Sequence, residues 1–341
     1  MENQGPNQPA KRVKRNERPE SVAEMMSAAW NGQAHELMRL LDCGLCANLR
    51  NEKGQTPLLL AASQENEDCV RLLIARGADV NAADPDGSTA LILAAQNGND
   101  DLARLLVQHG AKVNASNQLG VTVLMCAAAW GRESCVQKLL WCGADVNPTD
   151  DHGSSALMYA AEAASAEAVS VLVYHGANVA GINAYGCNAL HFVAKSSPLE
   201  SSARVADTAR DWSVLNTVHM LARHRVSFNA ADENGNTPLD YFALHETRSA
   251  QQASDVFELL VLDGADINRN AENKNRVTAL MLLLRRDQSE DFLAAHSVEA
   301  TLVLNAGRLN RAHVSRSLTE WPLRRSEDRL GNTASNNEIM S

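Results

Sequence analysis

The sequence is poor in aromatic residues and has no long apolar run. Phenylalanine, tryptophan and tyrosine make up 4% of the 341 residues, whereas 45% are hydrophobic, so alanine and leucine must fill most of the core. Such side chains favour closely packed helices over a sandwich or barrel. No apolar stretch approaches the roughly 18–20 residues that a membrane span needs, and no hydrophobic leader follows the polar and basic start. We therefore expect an all-α protein of the cytoplasm and/or nucleus that neither crosses a membrane nor is secreted.

The short motifs that carry chemistry are also absent. Neither GxxxxGK[ST] nor GxSxG nor HExxH occurs, and the ten histidines are not grouped with carboxylates or thiols. The CxxC pair Cys43 and Cys46 has no second pair at the spacing of metal ligands. We expect no catalytic residue, no cofactor and no metal, and seven reduced cysteines. A thiol enzyme acting through Cys43 and Cys46 is the least favoured alternative.

Charge is distributed unevenly along the chain. The formal net charge is −10; residues 1–20 carry +2 and residues 311–341 carry +1, which leaves −13 on residues 21–310. An acidic body repels phosphate backbones, so we expect no direct binding of nucleic acid. A partner protein with a basic surface fits this charge better.

Two series of glycines recur at a step of 33 residues, which predicts a stacked helical repeat. The first series lies two residues before polar side chains suited to cap a helix, and comprises Gly54, Gly87, Gly120, Gly153 and Gly186. The second series follows a second helix, where glycine ends a helix in the left-handed conformation, and comprises Gly44, Gly77, Gly110, Gly143 and Gly176. Each unit is therefore predicted as a turn, two helices and an extended exit.

Residues 54–62 (GQTPLLLAA) with 77–81 (GADVN), and 234–240 (NGNTPLD) with 264–268 (GADIN), resemble the ankyrin repeat. The resemblance covers residues 21–310 and implies an all-α ankyrin-repeat solenoid of about eight helix-turn-helix units with hairpin-like turns. The units begin near residues 21, 54, 87, 120, 153, 186, 235 and 276. We expect residues 1–20 to form a disordered basic arm and residues 311–341 a flexible tail.

Some positions depart from the family pattern. Only His191 fills the position of the family's histidine, so the turn hydrogen bonds of that histidine are not expected in the other units. Arg225 replaces a closing glycine, which should cost about 1 kcal/mol if this residue adopts the left-handed conformation. Longer intervals predict insertions between the two helices of the last three units, around 195–212, 244–254 and 284–297. They are either a shared binding surface or harmless variation in loop length.

The resemblance implies a groove for a partner protein. We call the last positions of the first helices the groove positions; the candidates are Trp30, Gln64, Gln96, Asn97, Trp130 and Glu162. The hairpin tips supply the candidates Glu52, Lys53, Asp86, Gln118, Leu119, Asp151, His152, Tyr185 and Glu233. Tryptophan is enriched among interface anchors, so Trp130 and Trp30 are the leading candidates. The alternatives are core tryptophans, with Trp30 sealing the end of the stack.

Two further features bear on regulation. A basic cluster near the N-terminus resembles a short nuclear import signal, although such clusters also occur by chance; it comprises Lys11, Arg12, Lys14 and Arg15. Asn81, Asn147 and Asn268 lie in a sequence pattern that an asparaginyl hydroxylase modifies in ankyrin proteins. The resemblance therefore makes these three asparagines candidate hydroxylation sites. The alternative is that these asparagines only bond the turns.

The sequence therefore predicts a non-catalytic protein interaction module, monomeric, that acts as an adaptor, scaffold or inhibitor. Two narrower versions remain open. One is a nuclear inhibitor-type regulator of transcription factors, and the other is a substrate receptor of a ubiquitin ligase, although the C-terminal tail contains no recognisable ligase-recruiting box.

Overall fold

The computed structural model describes the backbone of residues 19–196 and 207–244, and the side-chain surroundings of residues 21–196 and 213–242. Within these ranges regular structure is helical, which confirms the all-α prediction. The helices are α1 (Pro19–Trp30), α2 (Ala34–Asp42), α3 (Pro57–Ser63), α4 (Glu67–Ala75), α5 (Ala90–Asn97), α6 (Asp100–Gln108), α7 (Val123–Ala129), α8 (Glu133–Trp141), α9 (Ala156–Glu162), α10 (Ala166–Tyr174), α11 (Ala189–Lys195), α12 (Asp207–Arg223) and α13 (Pro238–Leu244).

In the five regular units, whose first helices are α3, α5, α7, α9 and α11, the helix begins directly after the polar residue that the sequence pattern predicts. The hydroxyls of Thr56, Thr89 and Thr122 each accept a hydrogen bond, 3.3 Å long, from the backbone N–H three residues later. Pro57 occupies the first position of α3, where its missing N–H costs nothing. Ser155 makes no such bond before α9. Local chemistry thus sets the start of these five helices at a constant interval.

The helices form two layers. The odd-numbered helices α1 to α11, followed by α13, are the first helices of successive units, and each packs on the next. Second helices pack beside their own first helix and on neighbouring second helices, as α8 does on α10 and α10 on α12. The core between the layers is mainly leucine and alanine, as the composition predicts. Each unit therefore buries its apolar faces only against its neighbours.

Hairpin-like turns project between consecutive units. Isolated antiparallel bridges close three of them, at Ala83 with Thr89, Ser116 with Thr122, and Thr149 with Ser155. Backbone hydrogen bonds of 2.8–3.1 Å then join neighbouring tips in a ladder, from Gln118 N–H to Asp86 O, Asp151 to Leu119, Ala184 to His152, and Glu233 to Tyr185. The tips are thus fixed relative to one another.

The sixth unit departs from the 33-residue pattern. Arg225 has a φ of 58°, so it adopts the left-handed conformation that glycine supplies in the other units. An insertion between two helices would be a loop, but the segment 195–212 is partly helical, since α12 begins at Asp207. This second helix has 17 residues, whereas the equivalent helix α10 has nine. Helix propagation adds one hydrogen bond per residue, so part of the extra length is absorbed as helix.

Several predicted features lie outside the described residues. They are residues 1–18 of the predicted arm, the insertions at 245–254 and 284–297, the eighth unit from about 276 and the tail 311–341. The last two residues of the arm predicted over 1–20 are not disordered, because they form the start of α1.

Candidate functional site

Trp130 lies where the sequence pattern places a groove anchor. It directly follows α7, caps that helix, and has 36% of its surface exposed. Trp30, the last residue of α1, is half-buried, and its carbonyl accepts a 2.8 Å hydrogen bond from the side-chain amide of Asn66. Trp130 is therefore the accessible one of the two tryptophans, and Trp30 lies partly packed at the first unit.

The remaining groove positions are polar. Gln64 is exposed and Glu162 is half-buried. The side-chain amide of Asn97 donates to the carbonyl of Ser63 at 3.2 Å, and that of Gln96 lies 3.9 Å from the sulfur of Cys126. Asn97 and Gln96 thus contact the neighbouring units, so part of their hydrogen-bonding capacity is used within the protein.

The hairpin tips change character along the chain. Lys53 and Asp86 are exposed charges, whereas the next tip presents Leu119, 42% exposed. The two following tips carry His152 and Tyr185, whose rings lie 5.7 Å apart, with the Tyr185 hydroxyl 3.2 Å from His152 Nδ1. Both residues are half-buried. The later tips therefore present an apolar and aromatic surface.

The other tip candidates lie on the same row. Glu52, Gln118, Asp151 and Glu233 are exposed. The side-chain amide of Gln118 donates to the carbonyl of Pro85 in the preceding tip. Carboxylates thus recur along a row of tips that also carries apolar groups, which suits a partner with both basic and apolar side chains.

Two tyrosine side chains form hydrogen bonds to aspartates at the base of the hairpin turns. The hydroxyl of Tyr159 donates to Asp150 Oδ2 at 2.7 Å, and that of Tyr241 donates to Asp232 Oδ2 at 2.6 Å. Burial, and then the neighbouring carboxylate, raise the pKa of both phenols. The other carboxylate oxygen of Asp150 accepts the N–H groups of His152 and Ser154. These pairs were not predicted, although the aspartate lies nine residues before the tyrosine in both units.

An exposed aromatic pair lies away from the groove positions and was also not predicted. Trp141 and Tyr174 are the last residues of α8 and α10, with 70% and 87% of their surfaces exposed. Their equivalents in the two preceding units are Ala75 and Gln108. The aromatic residues at this repeated position are the signal that could have identified them.

Asn81 and Asn147, which follow the second helix of their units, make the same contacts in both units. Asn81 donates to the carbonyl of Gly110 at 3.0 Å and accepts from the N–H of Lys112 at 2.8 Å. Asn147 makes the same two bonds, to Gly176 and from Asn178. Each therefore joins its unit to the next one. Hydroxylation of Asn81 and Asn147 stays a prediction, and Asn268 lies outside the described residues.

All seven cysteines lie within the described residues, and none forms a disulfide. Cys43, Cys46 and Cys142 are exposed; the others are buried. Burial raises the pKa of Cys126 and Cys135 to about 12. No group of three or more potential metal ligands occurs within residues 19–196 and 207–244, and no helix there is long and apolar enough to cross a bilayer.

We expect three of the seven thiols to react rapidly with a bulky disulfide reagent in the folded protein. The reactive ones are Cys43, Cys46 and Cys142, because a thiol must be both accessible and ionised to react. Counting thiols before and after denaturation, with peptide mapping, checks this. Rapid labelling of Cys126 or Cys135 without denaturant would contradict the burial described above.

Comparison with known proteins agrees with this architecture. Residues 25–117 and 124–205 each match a family model that describes three copies of the ankyrin repeat. Together the two matches cover just over half of the chain. The chain belongs to the ankyrin-repeat family, whose repeats are generally non-catalytic modules for protein–protein interaction.

One protein of similar sequence is the ankyrin repeat protein FPV240 of fowlpox virus (strain NVSL). It is 42% identical over 64 residues, which cover 18% of this chain and 16% of the viral protein. The matched segment is thus a small part of both proteins, and its likeness is one of repeat structure.

Proposed function

We propose that the protein is an adaptor, scaffold or inhibitor that binds a partner protein across its groove positions and hairpin tips. One observation carries this proposal. A large, partly exposed side chain, Trp130, follows a first helix of a stack whose tips are joined by backbone hydrogen bonds. A fixed scaffold reduces the ordering that binding requires, and tryptophan is a frequent energetic anchor.

Charge favours a partner with a basic surface. Exposed carboxylates recur along the tips at Glu52, Asp86, Asp151 and Glu233, and residues 21–310 carry a net charge of −13. Complementary charge raises the association rate and suppresses unsuitable partners. Apolar anchoring at Trp130 and Leu119 would then slow dissociation.

Replacement of Trp130 by alanine should weaken binding of a natural partner by about thirtyfold, or about 2 kcal/mol, because an anchor loses its buried area. The matched control is Trp141→Ala, which removes a more exposed tryptophan away from the groove positions. Quantitative affinity purification with the full chain, followed by measurement of Kd for the recovered partner, compares the two variants. The circular dichroism of each verifies that the fold is retained.

Equal retention of partners by the wild-type protein and Trp130→Ala would contradict binding at this position. A loss caused by Trp141→Ala instead would place the contact on the other face of the stack. A lower salt dependence for a variant lacking the carboxylates of Asp86 and Asp151 would support the electrostatic part of the proposal.

The nuclear version of this function rests on the basic cluster at Lys11, Arg12, Lys14 and Arg15, which lies outside the described residues. If that cluster is an import signal, removal of residues 9–15 shifts the protein from the nucleus to the cytoplasm. An unchanged distribution in cells would reject it.

A further inference from the structure

Cys187 and Lys195 form a contact that the proposed binding function does not use. Cys187 lies just before α11, is 2% exposed, and its sulfur accepts a 3.2 Å hydrogen bond from Lys195 Nζ. Lys195 is the last residue of α11. Its ammonium group also lies 4.3 Å from the centre of the Tyr241 ring, in the next unit. A nucleophilic sulfur and an amine are therefore held within reach of each other.

The other buried thiols lack this neighbour at hydrogen-bond distance. Cys126 is 4% exposed and lies 3.9 Å from the side-chain amide of Gln96, which cannot act as an amine nucleophile. Burial raises the pKa of Cys126 and of Cys135 to about 12, which leaves both as unreactive thiols. At Cys187, by contrast, an amine nitrogen lies 3.2 Å from the sulfur, so a nucleophile is already positioned beside a sulfenic acid formed there.

We propose that a hydroperoxide converts this pair into a covalent sulfenamide joining Cys187 Sγ to Lys195 Nζ. The thiolate attacks one oxygen of hydrogen peroxide, the O–O bond breaks, and the departing hydroxide takes a proton from the Lys195 ammonium as water. This step oxidises sulfur to a sulfenic acid and leaves lysine as a neutral amine. A sulfenic acid condenses with a nearby nitrogen.

In the second step the Lys195 nitrogen attacks sulfur, the S–O bond breaks, and the departing hydroxide leaves as water with a proton from nitrogen. Thiolate, ammonium and one hydrogen peroxide therefore give one S–N bond and two waters. Peroxide is the only reagent that the reaction requires, and a thiol reductant reverses it.

The bond would change the junction between the sixth and seventh units. It ties the start of α11 to its last residue and removes the positive charge that lies over the Tyr241 ring. Tyr241 also bonds Asp232 beneath the next hairpin tip, at 2.6 Å. Oxidation would thus alter a contact between two neighbouring units. This inference does not depend on the proposed partner-binding function.

The test uses the full chain in which the three exposed cysteines are replaced, Cys43→Ser, Cys46→Ser and Cys142→Ser. We call this variant the parent protein and treat it with hydrogen peroxide. We expect the intact mass to fall by two hydrogens, one thiol to be lost on alkylation after denaturation, and trypsin to cease cutting after Lys195. Dithiothreitol should restore all three properties. Added Lys195→Arg should prevent the crosslink and leave a sulfenic acid on Cys187, whereas added Cys126→Ser should change nothing.

Three outcomes would overturn the proposal. They are a Cys187 that remains fully alkylatable, a product that gains oxygen without losing hydrogen in the parent protein, and the loss of two thiols together, which indicates a disulfide. Peptide mapping of the parent protein distinguishes these even if a variant at residue 187 or 195 folds poorly.

Discussion

Lowering the pH from 7 to 4 should reduce the free energy of unfolding by about 3 kcal/mol through one buried side chain, His191. Its surface is 0% exposed, and its pKa falls from 6.5 to about 4, chiefly because burial disfavours the charged ring. Lys195 lowers this pKa further, while the carbonyl of Asn236 and the charge of Asp232 raise it.

Burial favours the neutral ring, and its hydrogen bonds determine which nitrogen carries the proton. The backbone N–H of Asn188 donates to Nδ1 at 3.1 Å, and Nε2–H donates to the carbonyl of Asn236 at 3.1 Å. The side-chain oxygen of Asn188 also lies 2.8 Å from Nδ1. An N–H can only donate and a carbonyl can only accept, so the proton of the neutral ring is on Nε2. The unfolded chain binds a proton near pH 6.5, before the folded chain does. Stability is therefore complete above pH 6.5 and is lost as the pH falls towards 4.

Urea unfolding at several pH values, compared with His191→Met, measures this contribution. Methionine occupies the equivalent position in α7, where the sulfur of Met125 accepts the backbone N–H of Thr122 at 3.4 Å. The variant should thus keep the cap, lose some stability at pH 7, and show a flatter pH dependence. Carboxylates titrate alike in both proteins, so parallel pH profiles would show that His191 does not have the expected pKa.

The repeat could be predicted because each of its signals is local. A cap such as Thr89 and a closing glycine such as Gly110 specify the ends of helices within one unit, whatever lies beside it. The same register aligned Arg225 with the closing glycines, and the structure shows it in the left-handed conformation. It did not show that residues 207–212 of the predicted insertion belong to α12, because the 33-residue pattern does not specify where a helix begins outside its register.

Much less of the candidate site could be predicted, because it depends on contacts between units. The repeat register placed Trp130 at the end of a first helix, and the structure leaves it partly exposed. The register could not show that His152 and Tyr185 stack, that Tyr159 bonds Asp150, or that Gln118 bonds the preceding tip. These contacts depend on the distance and angle between neighbouring hairpins, which spacing along one chain does not define.

Substitution of Gly87 by alanine should destabilise the protein by about 3 kcal/mol, because two penalties add. Gly87 has a φ of +83°, a conformation that costs a residue with a Cβ about 1–2 kcal/mol. A Cβ there would also lie 2.9 Å from both Asn117 Cα and Gln118 N. These are backbone atoms of the next hairpin, which must move and thereby add a cost of overpacking.

Gly77→Ala is the matched control, since its φ is +80° and nothing lies within 4 Å of the added Cβ. It should lose only the conformational term, about 1–2 kcal/mol. Chemical denaturation of both variants measures the difference, which isolates the close approach of neighbouring hairpins. Because Gln118 N–H donates to Asp86 O at 2.9 Å, the clash falls on the ladder that fixes the tips. Gly87→Ala should therefore also weaken partner binding when still folded, whereas equal stability of the two variants would mean that the hairpins are not held as closely as described.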